Sequence, residues 1–260
     1  MRFDELNRLK KDYFEPMAIK AEDKERRREL CDYLTDAFLY FFSVYEVHRM
    51  YDSMLTQALY EQLLVDRISD AVSKVTGIDS FMSMHIRDLA KEVVETTIKH
   101  VRQTSTSNTT LHDDDNSLTA LEYESEESLD SLNQNTSGSR FQDEDLEDEE
   151  EDIEDMMKQE AVEEYWLSIH RAENIAQNES NTFMNYSDFL DAKERGYTKK
   201  TWLTMLDDKV RDTHEDVEGQ TVGIDEFFHV GGSEMRFPRD WEQSPDPKEV
   251  INCRCAVDYK

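Results

Sequence analysis

The side chains in this sequence best suited to chemistry are His214, Cys253 and Cys255. Imidazole nitrogen and thiolate sulfur are the usual ligands of tetrahedral zinc. A site requires the three to converge, however. Cys253 to Asp258 reads as a strand, where alternate residues share a face, and two sulfurs so placed must still reach a distant histidine. The expectation is therefore that no metal is bound, that His214, Cys253 and Cys255 remain candidates only, and that both cysteines pack as small apolar groups beside Trp202. A second set, Asp207, Asp208 and Glu218 with His214, has the ligand types for Mg²⁺ and hydrolysis. A paired aspartate before a short helix is more commonly a turn and a cap. There is no glycine-rich phosphate loop and no Ser/His/Asp arrangement in a motif-like context. No catalytic residue, no cofactor-binding residue and no cofactor are expected, so the chain reads as a non-enzyme.

Two kinds of element must position these residues. Between Pro16 and Gly77 the sequence has no proline or glycine. Leu30, Leu34, Phe38, Phe41 and Tyr45, then Leu55, Leu59, Leu63, Ile68 and Val72, recur at helical spacing. This predicts one long helix, or two broken near residue 48, ended by Gly77, with Asp79 or Ser80 capping the next. That next helix carries Ile86, Leu89, Ala90, Val93, Val94 and Val101 on one face. The aromatic cluster Phe38, Tyr40, Phe41, Phe42 and Tyr45 covers more than one face. It reads first as a bundle core and second as a docking stripe. The helical pattern resumes from Glu160 through Tyr165, Ile169, Ala172, Ile175 and Ala176, and Gly196 carries a C-cap signal. Beyond it the chain turns to short strands, near Lys200–Met205, Thr221–Ile224, Glu234–Phe237 and Cys253–Asp258, with one or two helical turns between Arg211 and Val217. The fold class is mainly α with a small α+β C-terminal domain.

Charge divides the chain again. Of the net −30, residues 104–160 carry 20 acidic and 2 basic side chains. Few apolar groups and strong self-repulsion predict an acidic disordered linker over residues 104–157. At 50-odd residues it would span roughly 40 Å and let the flanks sit apart. Such acidity argues against direct nucleic-acid binding, because DNA affinity comes from neutralising phosphates with Lys and Arg. Three cysteines give no disulfide framework. The opening Met1-Arg2-Phe3-Asp4-Glu5 lacks a signal-peptide apolar stretch, and Ala37–Tyr45 is about half a bilayer span. No membrane association is expected. The expected location is the cytoplasm, or a particle assembled there.

The C-terminal motifs occur in a fixed order. Arg171-Ala172-Glu173 leads to Gln177-Asn178-Glu179. Trp202 follows in its strand, then Asp207-x-x-x-Arg211-x-x-His214, Gly219-Gln220, Met235-x-x-Pro238 and Asn252-Cys253-Arg254-Cys255. In order and spacing this resembles the C-terminal domain of the phage Mu F-like head-morphogenesis family, over about residues 160–260. Gln177-Asn178 departs from that family's Arg-Thr, the stretch before Pro238 is more polar than usual, and the acidic insert lies outside the pattern. Some members resemble zinc proteins at positions that here read Arg211, His214, Val250 and Cys253. Two of these are not usual ligands, and Arg211 is expected to form an ion pair with Asp207 or Asp208 instead. The resemblance gives Arg171, Glu179, Trp202, Asp207, Arg211, His214, Gly219, Pro238, Asn252, Cys253, Arg254 and Cys255 as structural motif residues, with Arg171 and Glu179 in an ion-pair network.

The expected organisation is a helical N-terminal region (1–103), the acidic linker (104–157) and a Mu F-like domain (158–260). The resemblance implies a minor capsid protein of a tailed bacteriophage, in the virion or procapsid and assembled in the host bacterial cytoplasm. Its implied partners are the portal protein and the major capsid or scaffold protein, with self-association through the N-terminal helices. The alternatives are a metal-dependent or toxin-like effector enzyme and an acidic decoy for basic proteins.

Overall fold

The computed structural model describes residues 13–15, 17, 19–50, 55–77, 83–106 and 165–260. Helix α1 runs from Ala21 to Met50 and α2 from Gln57 to Thr76. The uninterrupted pattern is thus two helices, the second of the two expected forms. Gly77 ends α2 in the left-handed conformation (φ 73°) and donates its N–H to the Ser73 carbonyl. Helix α3 spans Ser83–Thr106, and the cap expected at Asp79 or Ser80 lies outside the described residues. So does nearly all of the acidic stretch, 107–157.

Helix α4, Ile169–Glu194, begins at Ser168, whose side chain accepts the Arg171 N–H at 3.2 Å. It ends as the sequence signals. Gly196 (φ 76°) donates to Lys193 and Tyr197 donates to Ala192, the paired bonds of a Schellman motif. The helix is buried on several faces, including Ala172, Ile175, Ala176, Phe183, Met184, Tyr186 and Phe189. It can be, because α1 packs along it. The buried face of α1 is Leu30, Leu34, Phe38, Phe41, Phe42 and Tyr45. Four of the five clustered aromatics are therefore core. Tyr40 alone is exposed, with the Arg67 guanidinium 3.4 Å from its ring centroid.

Residues 1–97 and 167–260 belong to one compact unit. The flanks of the acidic stretch are therefore not held apart, as the linker length had suggested, because α1 and α4 share a core. Residues 98–166 form a second unit, in whose described part His100 stacks on Trp166 at 3.9 Å.

After α4 come β1 (Lys199–Leu203), the short helix α5 (Asp212–Glu215), β2 (Thr221–Gly223), β3 (Phe228–Val230), β4 (Ser233–Met235), a 3-10 turn (Trp241–Gln243), the short helix α6 (Pro247–Val250) and β5 (Ala256–Tyr259). Strands β2, β1 and β5 form an antiparallel sheet with β1 central, and β3 and β4 form a separate hairpin. The molecule is mainly α with a small α+β C-terminal region. Sequence patterning missed β3. The strand expected from Cys253 begins only at Ala256, three residues later.

Candidate functional site around His214

The later start of β5 decides the geometry of the thiols. Cys253 and Cys255 lie in irregular chain before the strand, so strand alternation does not govern them. His214 Nδ1 is 3.4 Å from Cys255 Sγ and 3.7 Å from Cys253 Sγ. The nitrogen and both sulfurs lie within 4.8 Å of one another, and all three side chains are buried. The convergence judged difficult from the sequence is present.

Each side of the cluster has its own support. His214 sits on α5, and its second nitrogen, Nε2, is 3.1 Å from Glu249 Oε2 on α6. The same carboxylate oxygen accepts the Thr213 hydroxyl at 2.7 Å. Glu249 is 1% exposed, and a Cβ at Gly231 would stand 2.1 Å from its Oε1, so only glycine leaves this carboxylate room. Trp202 packs edge-on against His214 (5.8 Å) and Phe228 (5.1 Å). Trp202 and Phe228, with Val217, Val230 and Met235, form the apolar core in which both cysteines lie. The expected packing of the cysteines beside Trp202 is therefore also seen.

The thiols are not equivalent. A hydrogen bond from Cys255, followed by that of His214, holds the Cys253 thiol well below its ordinary range against the effect of burial. Cys255, the donor to that thiolate, is pushed well up. Burial works to lower His214, but its hydrogen bond to Cys253 and that thiolate's charge raise it.

The four positions at which related sequences resemble zinc proteins do not fit a metal here. Arg211 donates to the Ile251 carbonyl, and Val250 has no donor atom. Among the described residues Arg211 does not make the expected ion pair with Asp207 or Asp208, and Asp207 is paired with Arg254 at 2.8 Å. The three donors His214, Cys253 and Cys255 do fit a soft divalent ion, with Glu249 orienting the imidazole as carboxylates do behind metal-bound histidines. Two thiolates and a neutral imidazole would balance a 2+ charge inside an apolar core. A metal held there would cross-link α5 to the chain before β5.

The hydrolytic set does not assemble. Asp207 accepts the Lys209 N–H within a turn and pairs with Arg254, and Glu218 accepts the Thr204 N–H. His214 faces inward. Asp207 does begin a turn, but the residue capping α5 is Arg211.

The remaining motif residues hold backbone in place. Gly219 (φ 70°) donates to the Trp202 carbonyl at 2.9 Å. Asn252 adopts a left-handed conformation (φ 53°) and exchanges two hydrogen bonds with Asn178, at 2.8 and 2.9 Å. The Pro238 carbonyl accepts from Asn185. Glu179 pairs with Arg239 (3.3 Å) and His85 (2.8 Å). Burial would raise its carboxyl, but these two partners hold it below the usual range. Arg171 is bonded instead to Thr97 (2.8 Å) and Thr96 (3.0 Å) of α3. Glu179 thus sits in an ion-pair network with His85 and Arg239.

One constellation escaped the sequence altogether. Arg27 of α1 is 1% exposed and donates to Asn181 Oδ1 (2.6 Å), Asn185 Oδ1 (3.0 Å) and Asp188 Oδ2 (3.0 Å) of α4. The amide nitrogens of the two asparagines in turn donate to the carbonyls of Cys253 (2.9 Å) and Cys255 (3.3 Å). The thiol segment is therefore tied through α4 to the N-terminal helix. A lone polar face on α4 was the only available signal, and such faces are ordinarily solvated.

Residues 145–258 match the family model described as Phage Mu protein F like protein. The C-terminal region is Mu F-like. The Mu F-like match takes in β1 to β5 apart from the last residue of β5, together with α4, the thiol cluster and all twelve motif residues. A NAD(+)--arginine ADP-ribosyltransferase EFV of Enterococcus faecalis (strain ATCC 700802 / V583) is 33% identical over 99 residues, covering 36% of this chain and 20% of that protein. The chain thus spans about a fifth of the length of this relative. No solved structure matches.

Proposed function

We propose that this chain is a head-morphogenesis protein of a tailed bacteriophage, a minor capsid component acting in procapsid assembly near the portal and carried in the virion. The observation that supports it best is the Mu F-like match over residues 145–258. The site chemistry is consistent with it. His214, Cys253, Cys255 and Glu249 are buried and bonded among themselves, a disposition suited to holding a surface rather than turning over a substrate. In this reading the C-terminal surface is presented to the portal, major capsid or scaffold protein, and the N-terminal helices mediate self-association. No helix among the described residues is long and apolar enough to cross a membrane.

Affinity capture of the full-length chain from an assembling phage lysate tests the proposal. Recovery of portal, scaffold or major capsid protein is expected, and recovery of none of them counts against it. The enzyme reading has one observation in its favour, the name of the Enterococcus faecalis relative. Incubating the chain with NAD⁺ and an arginine-rich acceptor checks it, and transfer of label is not expected. The acidic-decoy reading is separated by deleting residues 113–155. Loss of a basic partner with assembly intact gives that segment a role of its own.

A further inference from the structure

A second grouping in the C-terminal region serves neither the apolar core nor the thiol cluster. A cavity of about 470 Å³ is lined by Tyr13, Glu173, Lys209, Arg211, Asn252 and Arg254, among others. Its size falls within the range of small-molecule sites. Its charge runs against the molecule. Acidic side chains outnumber basic ones 60 to 30 in the whole chain, yet this wall sets three permanent cations against one carboxylate, Glu173.

These cations are not all neutralised by the protein. Arg254 is paired with Asp207 at 2.8 Å. Arg211 gives its hydrogen bond to the Ile251 carbonyl, a neutral acceptor. Among the described residues neither Arg211 nor Lys209 has a carboxylate partner. A half-buried guanidinium without a counter-charge is costly. In a protein so rich in Asp and Glu, its having none is informative. A third feature points the same way. The Tyr13 hydroxyl is buried and has no hydrogen-bond partner among the described residues. Burial raises its pKa, so it is a neutral donor. Buried polar groups are ordinarily satisfied, and an orphan donor lining the same cavity as two uncompensated cations is the complement of an acceptor-only group.

We propose that this cavity binds an oxyanion, the carboxylate or phosphate of a small polar molecule, with Arg211 and Lys209 as its charge partners and the Tyr13 hydroxyl as a further donor. Guanidinium groups match both kinds of oxyanion through paired N–H donors. Glu173 on the same wall disfavours a second negative group, which selects against polyanions. The assignment does not depend on the phage reading.

Calorimetric titration of the full-length reduced chain tests it, with inorganic phosphate in one arm and acetate in the other, at constant ionic strength set by sodium chloride. Saturable one-to-one binding of at least one anion is expected, and the arm that binds identifies the source. Loss of a charged hydrogen bond predicts roughly tenfold weaker binding for Arg211→Gln and for Lys209→Gln. Tyr13→Phe, which removes only the hydroxyl, should weaken it severalfold. Lys209 is exposed, so its variant folds and decides the matter even if Arg211→Gln does not. Absence of saturable binding in both arms, or binding untouched by Lys209→Gln, overturns the proposal.

Discussion

His214 shows how much rests on single atoms in this core. One ring nitrogen faces two sulfurs and the other faces a carboxylate that is 1% exposed. Truncating it to alanine leaves Glu249 in an apolar surrounding with only the Thr213 hydroxyl. An orphaned buried charge costs several times an ordinary hydrogen bond, so His214→Ala should destabilise the fold by about 3 kcal/mol. Urea unfolding checks this as a lowered midpoint at unchanged slope. The same convergence bears on metal. One equivalent of zinc added to the reduced chain should raise the thermal midpoint, because a ligand bound only to the folded state stabilises it. Cys255→Ser, which removes a thiolate donor at similar volume, should abolish the rise. A midpoint indifferent to zinc in the unsubstituted chain would mean that hydrogen bonds alone hold the cluster. The ligand types were legible in the sequence. Their meeting was not, because it depends on three residues before β5 leaving the strand path, and neither cysteine nor arginine signals that break.

Elements depend on buried polar groups that periodicity cannot see. The long helices were readable, since Leu30, Leu34, Phe38 and Phe41 recur every three or four residues and glycine marks the ends of α2 and α4. Arg27 was not. Its partners lie 154 to 161 residues away, on a face of α4 whose asparagines look solvent-directed until α1 covers them. Arg27→Met keeps the length of the side chain but strands Asp188 and two amides. Breaking a buried pair in this way costs about 3–5 kcal/mol, so the variant should unfold at markedly lower urea, while Arg28→Met on the half-exposed face should not. Strand β1 carries a different cost. Burial, partly offset by Asp240, lowers Lys200 from 10.5 to about 8. The ammonium donates to the Ile224 carbonyl at 2.9 Å and lies 5.3–5.4 Å from the rings of Phe228 and Phe189. Between these two pH values the unfolded chain holds the proton and the folded chain does not. Stability therefore rises with pH across that window. At neutral pH the folded state bears a cost on the order of 3 kcal/mol. Stability measured from pH 7.5 to 10.5 should climb more steeply in the unsubstituted chain than in Lys200→Met. Parallel curves would show that Lys200 titrates normally.

At the scale of the whole molecule, the two ends of the chain depend on each other across an acidic stretch that contributes −18 of the net −30. The sequence suggested two folded pieces joined by a spacer, because composition changes abruptly at each border. Composition reports what each segment is made of and says nothing of which faces meet. The meeting surface is specific. Helix α4 buries residues around most of its circumference, and one of those faces is covered by α1 through Arg27 and the Leu30–Tyr45 stripe. Without α1, residues 158–260 would expose Asn181, Asn185 and apolar side chains such as Phe183, along with the support beneath Cys253 and Cys255. A helix keeps most of its stability through tertiary packing rather than propensity, so the isolated segment should be poorly folded. Supplying residues 1–103 as a separate chain restores the missing face without a covalent link. Co-expressed, the two segments should co-purify and give the cooperative unfolding of the intact chain, whereas residues 158–260 alone should be insoluble or unfold without a sharp transition. If instead each segment is soluble and cooperative by itself and the two do not associate, the shared core is not what stabilises the C-terminal region, and the Mu F-like fold stands on β1, α5 and the thiol segment alone.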